Sequence, residues 1–450
     1  MKGKRIVRML AAALACVLLA AGFALFADGG APKALEPIQR SEARDYVHAA
    51  LTYDRGTRTL RGSVEMTLRN RTGESLDRIV LRAYMNGEDE RAVSVSGAQI
   101  DGSPVAFLPD EDDPTVLRAE YAWPDGDAIS LTFTMMIRHE KADGAAIVTL
   151  PSLAMYEGGA WREDAYDPLA GVSYAQPFDY TIELDGEIAA RMRMARDASF
   201  ALPGGKALEK EVPGVRLRAL AEDAQTAGKL LAQAEAALSS LHHIGIAYPF
   251  DMLTVVQKEM GHTDGAAYSG LIALDAQGDR ETIRRNITRL IARQTFGIWA
   301  ANDPWNAPWL SVSLASCCEL LAYRGLKGEA AYEERFFSEI EPASRLTRPQ
   351  GVRVGAGTAH FGSESEMTQV LRDQGAAMLL GIEQAIGEEA FMTALTEYAQ
   401  ENAGKTATAE ALAAALARAS VPETLFRRSR MKTSVFTLIS EEKSRSGTAT

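Results

Sequence analysis

Histidine is the side chain best suited to hold a metal or move a proton near neutral pH, and this chain has six of them. Their spacing builds no site. His242 and His243 are neighbours near the end of a predicted helix and point to different sides, and His48, His139 and His360 are isolated. His262 lies two residues before Asp264, and a cluster of these two with His360 has no metal-ligand spacing to support it. Ser313, in VSLAS, lacks the glycines of a G-x-S-x-G nucleophile elbow. GVRVGAG around Gly351 does not end in the Lys and Ser pair of a phosphate loop. Beyond Cys16 the cysteines are Cys317 and Cys318, adjacent and inside an apolar helical pattern. Neighbouring cysteines do not readily adopt disulfide geometry, so they read as small buried residues. Trp299, Trp305 and Trp309 read as core packing in preference to ligand stacking.

The elements that must position any site fall into two patterns. A chain of 450 residues exceeds the usual prior of about 150 per domain, and 46% hydrophobic with 24% charged residues is an ordinary balance for burying a core. Residues 45–220 alternate with period two: Leu60, Val64, Met66 and Leu68 share one strand face, as do Ile129, Leu131, Phe133 and Met135. They predict a largely antiparallel β domain. Near Ala221 the period becomes helical, and residues 221–420 form a second domain. MLTVVQKEM and SGLIALD predict strands there, and helices are expected over Arg280–Ala300, Leu310–Arg324, Ala330–Ile340, Glu366–Ile386, Glu388–Asn402 and Thr408–Ala419. The class is therefore α+β, a β-rich N-terminal domain followed by a mainly helical one. The chain ends in SEEKSRSGTAT, which is polar and small, and residues 421–450 are expected to be a disordered tail.

The N-terminus carries Lys2, Lys4, Arg5 and Arg8 before an apolar run from Met9 to Phe26, the pattern of an export signal. Residues 1–27 are a signal peptide or an uncleaved membrane anchor, with 28–44 as linker, and the run is near the lower limit of about 17–25 residues for a span. Ala13-Leu14-Ala15 before Cys16 is a poor match to a lipidation box. The basic flank stays inside and the rest is expected outside the cytoplasm, secreted or anchored. Formal net charge is −12, which argues against nucleic acid and leaves the N-terminal segment as the only membrane contact.

Four stretches together resemble one family. YDRGTRTLRGSVEMTLRNRT is similar to the opening strands of the saddle-shaped β domain of gluzincin aminopeptidases, the family of membrane alanyl aminopeptidase. IAYPFDMLTVVQKEMGHTDGAAYSGLIAL is similar to the family's strand and substrate-facing loop, and LIARQTFGIWAANDPWNAPWLSVSLASCCELLA to its zinc helix pair. QVLRDQGAAMLLGIEQAIGEEAFMTALTEYAQENAGKTATAEALAAAL resembles the end of its catalytic domain. The resemblance implies a thermolysin-like fold for the helical domain. In the family, H-E-x-x-H on a helix holds Zn²⁺ and supplies a general base, and a Glu on the next helix completes the metal site. A Tyr stabilises the oxyanion, and a Glu in a G-G-M-E-Y loop holds the substrate amine.

Every one of these positions has changed here. The zinc motif reads Arg293-Gln294-Thr295-Phe296-Gly297, and the third-ligand position is Val312. Spacing between the second His position and this residue is shortened, and Ser316, at the literal spacing, is no carboxylate either. Gly265, Ala266, Ala267 and Tyr268 stand in the substrate loop, with no acid for an amine, and the oxyanion Tyr corresponds to Arg372. No cofactor is expected, although the intact family uses zinc. Removing both metal and base removes the nucleophile and its activation, the base alone being worth typically about 10²–10⁴-fold.

Two readings follow from the resemblance. One is an exported or anchored aminopeptidase-family protein that is catalytically inactive and binds peptides or an extracytoplasmic protein. The other is a zinc metallo-aminopeptidase with a divergent or misaligned site. A further expectation concerns Glu319, seven residues after Val312 and so on the same helix face. In the family a carboxylate at the corresponding position backs up the zinc site, and Arg293 is long enough to reach it. An Arg293–Glu319 salt bridge is expected to replace the metal in joining the two helices.

Overall fold

The structure, a computed structural model, describes residues 35–87, 92–138, 146–168, 170–202, 204–260, 265–346 and 351–420. The expected signal or anchor 1–27, the start of the linker, the tail 421–450, and His139, His262 and Asp264 lie outside the described residues. All the elements below belong to one compact unit that begins at Pro37. Among the described residues no helix is long and apolar enough to cross a membrane.

Period-two alternation builds a seven-stranded sheet. Its main strands are β1 (Asp45–Asp54), β2 (Thr59–Arg69), β3 (Val93–Ile100), β4 (Ala128–Arg138), β5 (Phe178–Leu184) and β6 (Glu187–Ala195). They lie in the order β6-β5-β1-β2-β4-β3, with Ser103–Pro104 at the edge. The expected faces are buried: Leu60, Val64, Met66 and Leu68 on β2, and Ile129, Leu131, Phe133 and Met135 on β4. Pairing is antiparallel except where β1 runs parallel to β5, with Asp45 opposite Phe178. Leu76–Arg82 and Val116–Trp123 form the centre of a second, four-stranded sheet.

The five-stranded sheet that carries the helical half has the order β7 (Lys206–Val212), β8 (Val215–Ala221), β9 (Met252–Gln257), β11 (Leu271–Leu274), β10 (Ala266–Tyr268). β8, β9 and β11 are parallel to one another, and β10 is an antiparallel edge strand. Sheet membership therefore differs from the expected boundary at 220. β7 and β8 keep the period-two pattern of the preceding strands, yet pair into the sheet of the following domain. A change of period marks where helices begin, and a sheet can begin before it.

Asp223 accepts from the Thr226 amide (2.9 Å) and starts α1 (Ala224–His243), and Asp279 does the same for Thr282 (2.8 Å) at α2 (Arg280–Gln294). Then follow α3 (Trp309–Lys327), α4 (Glu329–Arg335), α5 (Gly375–Ile386), α6 (Glu388–Glu401) and α7 (Ala409–Ala419). Three of the expected helices contain a π turn, at Thr295–Trp299, Phe336–Ile340 and Gln369–Gln374. One extra residue in a turn leaves no mark in a 3.6 period, and such turns are frequent at functional sites. Helices α2 and α3 run antiparallel, with Gly297 beside Ser311, Arg285 beside Glu319 and Glu281 beside Lys327.

Leu230, Ile287, Leu314, Cys317 and Cys318 lie in the shared core of these helices. Both thiols are free and buried, and burial pushes that of Cys318 up to about 12 and Cys317 upward too, so neither supplies a thiolate.

Candidate functional site

A cavity of about 300 Å³ opens between the edge strand β10, helix α2, the start of α3 and the segment around the Gln369–Gln374 turn. It gathers nearly every position singled out by the resemblance. Gly265, Ala266, Ala267 and Tyr268 line it along β10, Arg293 and Val312 on the two helices, and Arg372 on the π turn. Gly297 lines a small recess that shares Ala267 and Arg293 with it. Gly265 has φ +137°, and a Cβ there would lie 2.4 Å from the Ala273 carbonyl oxygen, so β10 can approach β11 only through glycine.

Gln294, at the general-base position, is absent from the cavity lining. Its side chain is fully buried, with Oε1 2.7 Å from the Tyr248 hydroxyl, which also lies 3.1 Å from the Met252 carbonyl oxygen. Nε2 donates to the Leu271 carbonyl oxygen at 3.2 Å. The amide is a structural tie between α2, β9 and β11, and no apolar or charged residue of that shape could make both bonds.

Zinc does not fit the described residues at the positions that the resemblance assigns to it. Arg293 is a cation and Val312 has no donor atom. Gly297 could not be a histidine in this backbone, because a Cβ there would lie 2.7 Å from Cβ of Ser311. Ser316 donates to the Val312 carbonyl oxygen at 2.9 Å within its own helix. Among the described residues no group of three His, Cys, Asp or Glu side chains is placed to hold a metal ion.

The electrostatics of the cleft are cationic. Among the described residues, Lys258, Arg289, Arg293 and Arg372 line it against one carboxylate, that of Glu364. Arg289 donates to Asn286 Oδ1 at 2.6 Å and Arg372 to Asp373 Oδ1 at 2.8 Å. Arg293 is half-buried and makes no hydrogen bond or ion pair with another described residue. Burial lowers its pKa, partly offset by the fields of Glu364 and Tyr268.

The expected Arg293–Glu319 bridge is not formed. Glu319 is held by Arg335 of α4, with Nη1 to Oε1 at 2.8 Å and Nη2 to Oε2 at 2.7 Å, and Arg285 Nε stands 3.7 Å from Oε1. The antiparallel register explains it: Arg293 lies opposite the start of α3, whereas Glu319 lies opposite Arg285, eight residues and so about 12 Å further along the axis at about 1.5 Å per residue. Two residues on one face of α3 can be too far apart along it to meet the same partner.

The other candidates have ordinary roles. His48 Nε2 lies 3.2 Å from Glu183, and His242, His243 and His360 are exposed. Trp299 packs edge-on against Phe250 with ring centroids 6.0 Å apart, and Trp305 against Tyr174 at 5.7 Å. Ser313 donates to the Leu371 carbonyl oxygen at 2.7 Å. Sequence reasoning missed Tyr248 and Arg335. Both act through partners distant in sequence, which a linear motif cannot display.

No protein-family model and no curated protein matches the chain. Solved structures do. An M1 zinc metallopeptidase from Deinococcus radiodurans has a TM-score of 0.58 at 16% identity, over 88% of this chain and 92% of that one. A mutant of it bound to a Tyr-Ser-Ala substrate gives 0.58 and 16% over 89% and 93%. A two-domain M1 zinc metallopeptidase mutant bound to L-arginine gives 0.59 and 17% over 88% and 92%. Through its sheets, its helices and the cleft between them, the chain has the fold of the M1 zinc metallopeptidases.

Proposed function

We propose that this is a non-catalytic, aminopeptidase-fold protein that uses the cleft to bind peptides or an extended segment of an extracytoplasmic protein. One observation carries the reading. The cavity is open while the positions expected to supply metal ligands hold a cation, a valine and a glycine with no room for a side chain. Peptide as ligand class is supported by β10, whose outer edge pairs with no described strand and so offers backbone groups for strand addition. The similar metallopeptidase fold bound to Tyr-Ser-Ala supports the same class. Export, as a secreted or anchored protein, rests on the basic flank and the apolar run of residues 1–27.

The test is elemental analysis of the purified full chain beside an assay of aminoacyl anilide hydrolysis. Expected are no stoichiometric zinc and no turnover. Near one zinc per chain, with activity that a chelator abolishes, would establish the metallo-aminopeptidase reading instead.

A further inference from the structure

The peptide reading leaves open what the cleft recognises, and Arg293 supplies the chemistry. A guanidinium carries five N–H donors in a planar fork, and none of those of Arg293 is spent on another described residue. It is half-buried in the floor of the cavity. A cation removed from water without a partner is costly, and a carboxylate received in the plane of the fork would offset that cost with two charge-assisted bonds. Resting on the reading of the cleft as a peptide site, we propose that its ligands are acidic peptides anchored by a carboxylate on Arg293.

The surroundings favour the same sign. Lys258, Arg289 and Arg372 share the lining with Arg293, and Glu364 is the one carboxylate among the described lining residues. Arg289 and Arg372 already have partners, so they shape the field and Arg293 makes the contact. This positive cleft stands in a chain of formal net charge −12, so overall composition does not account for it, and it would steer anions specifically to this place. Val312, Met367 and Ala267 give the same cavity an apolar side, and about 300 Å³ is the scale of a small ligand group. An extended peptide lying along β10 would bring a side chain or its own terminus within reach of Arg293. The anchor is thus opposite in charge to the one that the resemblance implies for this loop, where a carboxylate holds the substrate's amine.

The carboxylate has two sources, an Asp or Glu side chain or the C-terminus, and calorimetry on the full chain separates them. Three probes suffice: Ala-Ala-Glu-Ala-Ala amide, its Gln counterpart as the amide, and that Gln peptide with a free C-terminal carboxylate. At least one carboxylate-bearing probe is expected to bind about tenfold or more tightly than the neutral amide, and which one does identifies the source. Arg293→Gln is expected to abolish the difference while leaving the unfolding midpoint unchanged or raised, since no internal partner is lost. Equal binding of all three probes would overturn the carboxylate anchor and leave the peptide reading standing. A preference that persists in Arg293→Gln would also overturn it. Inorganic phosphate competing at concentrations no higher than the peptide would overturn the acidic peptide in favour of a small oxyanion. Failure of all three probes to bind would remove the peptide reading itself.

Discussion

Arg335 grips Glu319 with both ends of its guanidinium fork, at 2.8 and 2.7 Å, and both side chains are almost wholly buried. Arg335 also reaches Glu339 at 3.2 Å, and Arg285 reaches Glu339 at 2.7 Å, so α2, α3, α4 and the π turn after α4 meet in one charge network. Breaking a buried pair from one side leaves the other charge uncompensated. Glu319→Ala is expected to destabilise by about 3–5 kcal/mol in denaturant unfolding, and Arg335→Ala similarly. A loss below about 0.5 kcal/mol, as at an ordinary surface position, would refute the network's structural role.

How much of this was legible in the sequence depends on range. The faces of β2 and β4 were, because alternation is local and burial follows it. The gathering of Arg293, Val312, Arg372 and Gly265–Tyr268 around one cleft was legible only through the resemblance, since no spacing rule links residue 266 to residue 372. Glu319 shows the limit. Its burial and need for a partner follow from its place in an apolar helix, but the choice of Arg335 over Arg293 depends on where α2 and α3 stop sliding past each other. That is fixed by packing such as Gly297 on Ser311, and no one-dimensional period records it.

Gln294 stands where the resemblance places a general base, and an acid introduced there is expected to harm the protein without supplying chemistry. Gln294→Glu loses the Nε2 donor to the Leu271 carbonyl oxygen and sets a carboxylate against it in a buried site. A cost of about 1–3 kcal/mol is expected in denaturant unfolding, with no gain in aminoacyl anilide hydrolysis. Unchanged stability would show that the tie to β11 contributes nothing.

The junction of Arg162 with Asp303 gives the fold an acid sensitivity. Burial alone would raise the Asp303 carboxyl, but hydrogen bonds from Asn306 and Arg162 outweigh it and hold the pKa below the usual value. Arg162 Nη1 lies 3.0 Å from the carboxylate and also bonds Glu157, while Nε and Nη2 of the same guanidinium bond Asp164. A group whose folded pKa is depressed contributes stability above its unfolded pKa, about 3.9, and loses it as pH falls through the folded value. Asp303→Asn is therefore expected to lower stability by about 1.5 kcal/mol at pH 7. The gap from the parent should close on acidification below about pH 4, read as urea midpoints across pH. A gap that stays constant to acid would show that the charge is not its source.

The contact of Gly297 with Ser311 acts as a ratchet. With α2 and α3 closed to this distance, any side chain at position 297 overpacks the interface, an error that typically costs about 1–3 kcal/mol. A histidine placed there would press its Cβ against the Ser311 side chain, and the neighbouring positions Arg293 and Val312 offer no second ligand to reward it. A metal centre at this place would need the helices to part first, with the loss of packing coming ahead of any gain. No single substitution at position 297 can add a metal ligand without first costing packing between the two helices.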